Sequence, residues 1–70
     1  MNSARMDREA VLQAEHAVLT AQHRSLDIEI RELQEAGRDM FTLQRLKRQK
    51  LALKDKIARL EDQITPDIIA

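Results

Sequence analysis

Leucines recur every seven residues in two separate runs: Leu12, Leu19, Leu26 and Leu33, then Leu46, Leu53 and Leu60. A period of seven marks the seam of a packed helix pair, because positions three and four apart share one helical face. Taking the leucines as d positions puts His16, His23 and Ile30 at a in the first run. In the second, the a positions are Leu43, Lys50, Ile57 and Ile64. The pattern predicts two amphipathic helices, about 3–36 and about 40–64, with a turn at 37–39. Asn2 or Ser3 is placed to cap the first, with Asp7 and Glu9 in or near its first turns. Gly37, the only glycine, stands where a left-handed residue ends a helix. Asp39 is placed to cap the second helix, and Pro66 disfavours helix at Thr65. Residues 65–70 form a tail whose apolar end, DIIA, is expected to pack on something.

A turn this short makes the helices antiparallel. The tightest register pairs Leu33 with Leu43, Ile30 with Leu46, Leu26 with Lys50, and Leu19 with Ile57. It sets His23 and His16 against Leu53 and Leu60, sets Leu12 against Ile64, and brings Asp27 near Lys47. The expected fold is therefore all-α, an antiparallel two-helix coiled-coil hairpin in one domain, residues 1–70. A second stripe of Ala14, Val18, Ala21, Ser25 and Ile28 runs along another face of the first helix. Leu51 lies off the main seam, and Met40, Phe41, Ile68 and Ile69 add apolar surface near the ends. Two helices alone make a thin core, since domains below about 70–80 residues rarely gain more than about 3–5 kcal/mol from one. Self-association into a four-helix bundle, most simply as a homodimer, is expected from this surplus.

Composition narrows the picture further. The 70 residues hold one Phe, no Trp, no Tyr and no Cys, so aliphatic side chains make the core and disulfides or thiolate metal sites are excluded. The N-terminus lacks the apolar run of a secretory signal, and no stretch is apolar enough to cross a membrane, so a cytoplasmic location is expected. The zero net charge hides an asymmetry: residues 1–37 carry a net −3, residues 38–59 a net +6 and residues 60–70 a net −3. The simpler reading is an acidic helix packed on a basic one. The sharper one is a basic surface for a polyanion.

Few constellations offer chemistry. His16 and His23 are seven apart, too far for one metal ion, which needs ligands three or four apart on a helix. His23 has Asp27 four residues on, and a structural hydrogen bond between them is preferred to a shared metal. Lys50 at a seam position costs stability and commonly specifies register or oligomer state. Its stem can cover Leu26 while its ammonium reaches Asp27 or solvent. Gln49, Lys54 and Asp55 lie on neighbouring turns. Arg45, Arg48, Lys56 and Arg59 make a stripe suited to phosphates, though no aromatics interleave for base stacking. The sequence has no phosphate loop and no catalytic triad, so it reads as a non-enzyme without a cofactor.

Two segments resemble a known family. HRSLDIEI, residues 23–30, and LKRQKLALKDKI, residues 46–57, resemble the YdcH-like family of small bacterial helical proteins of unknown function. Matching positions are His23, Leu26 and Asp27, then Lys47, Gln49, Lys50, Leu51, Leu53, Lys54 and Asp55. The resemblance covers roughly residues 12–62, and the basic run is its specific part. Lys56 departs from it, standing where the family usually has Glu. The resemblance implies an all-helical fold and no reaction. It runs through polar positions that packing alone does not require. His23, Asp27, Lys47, Gln49, Lys50, Lys54 and Asp55 are therefore the candidate interaction residues, and Gln49, Lys50, Lys54 and Asp55 are expected to form one surface or buried polar layer, used in dimer pairing or in docking a partner. The expected function is a non-enzymatic interaction or adaptor protein that binds itself and an unidentified protein partner. The alternative is a small nucleic-acid-associated or regulatory protein using Arg45, Arg48, Lys56 and Arg59.

Overall fold

The computed structural model describes residues 7–64 as two helices, α1 (Arg8–Ala36) and α2 (Met40–Ile64), folded back on each other as a helical hairpin. The all-α hairpin fold expected from the leucine ladders is the one observed. The start of α1 differs from the expectation. Asp7 is extended (φ −81°, ψ 173°), and its carboxylate accepts the Ala10 amide at 2.8 Å. Its carbonyl accepts Val11 N–H at 3.1 Å. An acid here satisfies a free amide and complements the helix dipole, which suffices to begin the helix at Arg8. Asn2, Ser3, Pro66 and the DIIA tail lie outside the described residues.

The reversal uses two left-handed residues. Gly37 (φ 70°) donates its N–H to Leu33 O at 3.1 Å and Gln34 O at 3.2 Å, closing the end of α1. Asp39 also has a positive φ of 63°, a conformation tolerated by short polar side chains. Its carboxylate accepts Thr42 N–H at 3.2 Å, and its carbonyl accepts Leu43 N–H at 3.1 Å, so it caps α2.

The core is a single row of side chains. Leu12, Ile30, Leu43, Leu46 and Leu60 are buried, and none of the described residues is sealed off completely. Ile30, Leu43 and Leu46 cluster near the turn with half-buried Leu26 and Leu33 against them. Leu12 and Leu60 are the buried pair toward the open end, and His23, Leu53 and Ile57 between are half-buried. Large apolar side chains remain outside: Val11, Val18 and Ile28 on α1, and Met40, Phe41 and Leu51 on α2. Neither described helix is long and apolar enough to cross a membrane.

Candidate functional site

The hairpin register places polar residues in the seam at two levels. Mid-seam, Lys50 Nζ donates to Asp27 Oδ1 at 2.6 Å, and Arg31 Nη2 donates to Asp27 Oδ2 at 3.0 Å. Each carboxylate oxygen therefore has its own cation. The Lys50 hydrogen bond, helped by the charges of Lys50 and Arg31, holds the Asp27 carboxyl below its ordinary value against the opposing effect of desolvation. Toward the open end, His16 Nε2 meets Glu61 Oε2 at 2.9 Å. Both links join residues whose numbers add to 77, so they express one antiparallel register.

Of the two lysines expected near Asp27, Lys50 makes the ion pair, taking the Asp27 alternative of its two expected directions, and Lys47 does not bond it. Lys50 reaches across from α2, half-buried like Asp27, and its ammonium lies 2.6 Å from Oδ1. Lys47 lies one turn nearer the hairpin tip, lining a shallow groove with Asp27, Ile30, Arg31, Gln34, Lys50 and Leu51. The expected hydrogen bond between His23 and Asp27 is absent. The two cations occupy the carboxylate, and His23 Nε2 is buried without a hydrogen-bond partner among the described residues. His23 instead lines a groove with His16, Thr20, Lys54, Ile57, Ala58 and Glu61. Among the described residues, no three His, Asp or Glu side chains are grouped to hold a metal ion.

The expectation that Gln49, Lys50, Lys54 and Asp55 share one surface or layer does not fit the geometry. At 100° per residue, Gln49 and Lys54 stand about 140° apart around α2. Gln49 borders a groove formed with Ala21, Gln22, Ser25, Leu26, Ala52, Leu53 and Lys56, and Lys54 borders the groove of His16 and His23. Asp55 points outward and pairs with Arg59 at 3.1 Å within α2. Arg45, Arg48, Lys56 and Arg59 are all exposed and fall within a sector of about 80°. Phe41, at 91% exposure, continues that sector at the hairpin tip. Sequence reasoning overlooked both Phe41's place in this stripe and the His16–Glu61 link. The signal for each was present, in the wheel position of Phe41 and in the seam register.

A family described as a protein of unknown function, DUF465, matches residues 17–61. That segment contains the seam from Leu19 to Leu60, the Asp27–Lys50–Arg31 group and the basic sector. No curated protein and no solved structure matches the chain. The YdcH-like resemblance carried by residues 23–30 and 46–57 and this match concern the same family, so the chain belongs to the DUF465 family of proteins of unknown function.

Proposed function

We propose that the protein is a non-enzymatic interaction module of the cytoplasm that works as a self-associated helical hairpin. The observation that carries this reading is the imbalance between core and surface. Only five of the described side chains are buried, while Val11, Val18 and Ile28 leave a row of apolar area open on α1. Burying each such side chain is worth about 1.5–3 kcal/mol, comparable with the whole stability expected of a hairpin this size. A second copy supplies that burial without any further component. Such an assembly presents its polar surfaces outward as an adaptor for a further protein. Sedimentation equilibrium of the full chain tests this, with a mass of at least twice 8.1 kDa expected at low micromolar concentration and at both low and high salt. A chain that remains monomeric at hundreds of micromolar overturns the reading.

One observation favours a second reading, in which the basic sector of Arg45, Arg48, Lys56 and Arg59 binds a polyanion such as nucleic acid. All four side chains are exposed on one side of α2. Retention on a heparin column that collapses with a modest rise in salt, and that Arg45→Glu with Arg48→Glu abolishes, is the outcome that supports it. No retention at low salt removes it.

A further inference from the structure

The outer stripe of α1 has the form of a second coiled-coil ladder. Val11, Ala14, Val18, Ala21, Ser25 and Ile28 follow one another in steps of three and four. Ala21 is nine residues from both Leu12 and Ile30, hence about 180° around the helix from those buried side chains. The stripe therefore runs along the outer side of α1, with Ala21 and Ser25 at the edge of the groove shared with Gln49, Ala52, Leu53 and Lys56 of α2. Val11, Val18 and Ile28 are 44%, 56% and 53% exposed, and the three small residues between them are exposed as well.

We infer that this stripe is covered by the same stripe of a second copy, running antiparallel across a two-fold axis beside Val18 and Ala21. The inference rests on the self-association proposed above and specifies its face and direction. Reading the stripe against itself in reverse sets Val18 over the partner's Ala21, Ala14 over the partner's Ser25, and Val11 over the partner's Ile28. Bulky Val18 thus meets a small residue at the centre. Ala14, Ala21 and Ser25 let the two backbones approach at the short end of the usual 8–10 Å interaxial range. The shared stripe is about 26 Å long at 1.5 Å per residue.

Charge selects the direction. Glu32 and Glu35 continue the ladder beyond Ile28. A parallel pair brings each onto its own copy, clustering four carboxylates at helix C-termini, where the dipole is already unfavourable to them. The antiparallel pair separates them by the length of the stripe. It also sets Glu29 beside the partner's Arg8, twice by symmetry, on the flank of the stripe. At each end Glu32 approaches the partner's helix start, where Arg8 and the first-turn amides offset Asp7. Arg45, Arg48 and Arg59 do not line the groove beside the stripe, whereas Lys56 borders it with Ala21 and Ser25.

The chain has no cysteine, so single-cysteine variants report the register cleanly. Val11→Cys and Ile28→Cys proteins, mixed in equal amounts and mildly oxidised, are expected to give the mixed disulfide as the main cross-linked species. Each variant oxidised alone stays mostly uncrosslinked, because each cysteine is then far from its copy. Val18→Glu is expected to weaken the dimer by at least about tenfold, leaving helical circular dichroism at high concentration intact. Val11→Cys that cross-links to itself overturns the direction and leaves self-association standing. A dimer by sedimentation with no cross-link in any mixture overturns the choice of face. A monomer at every concentration overturns both this inference and the self-association beneath it.

Discussion

Asp27 takes a cation on each oxygen, one from its own helix and one from across the seam. Its lowered pKa is a statement about stability against pH. Folding favours the ionised form, so the contribution is fully present above the unfolded value of 3.8 and is lost as pH falls from there through the lower folded value. Thermal melts at neutral pH should therefore place Asp27→Asn below the native chain, with the gap closing below pH 3.8. A gap that stays constant through that range refutes the assignment. His23 presents the opposite case, a buried ring nitrogen with no hydrogen-bond partner among the described residues. An unpaired buried polar group costs about 1–3 kcal/mol. Replacing His23 by Leu is therefore expected to stabilise the hairpin by about 1 kcal/mol, raising its melting temperature by several degrees. An unchanged or lower melting temperature counts against that cost. The candidacy of His23 and Asp27 was legible in the sequence, and Lys50 was among the partners it offered Asp27, but the choice of Lys50 over Lys47 and His23, and the addition of Arg31, were not. A carboxylate between three donors chooses by reach and angle, which a linear spacing does not contain.

At the scale of the elements, boundaries follow from local chemistry where a single residue dominates. Gly37 ends α1 because its φ of 70° is cheap only without a Cβ. A Cβ there meets nothing within 4 Å, so Gly37→Ala is strained by its backbone alone. Chemical denaturation should show a loss of about 1–2 kcal/mol, the cost of one left-handed residue. A neutral result means the turn rearranges. The start of α1 was less legible, since Asn2, Ser3 and Asp7 are all competent caps on sequence grounds. Asp7 holds the position because its carboxylate and carbonyl both close bonds to the first turn.

The whole molecule is a hairpin with one row of core, which makes it sensitive to any deletion within that row. Ile30 is 5% exposed and lies in the cluster with Leu43 and Leu46. Ile30→Ala is expected to cost about 2–5 kcal/mol, most or all of what a core this size supplies. Loss of the cooperative thermal transition in that variant is the expected result. Full retention means that burial outside the intramolecular seam dominates, as in a tightly associated dimer.

The sequence by itself determined the two helices, their reversal at Gly37 and their antiparallel packing. Periodicity, a turn residue and a short connection are local properties that survive without knowledge of neighbours. It also determined family membership, through the motif spanning both helices. Only the tertiary structure decided which of the offered donors Asp27 takes, that His23 Nε2 has no hydrogen-bond partner among the described residues, and the dispersal of Gln49, Lys54 and Asp55 to different sides of α2. These depend on where side-chain tips meet after the helices dock, over differences of a few ångströms that a seven-residue repeat does not resolve.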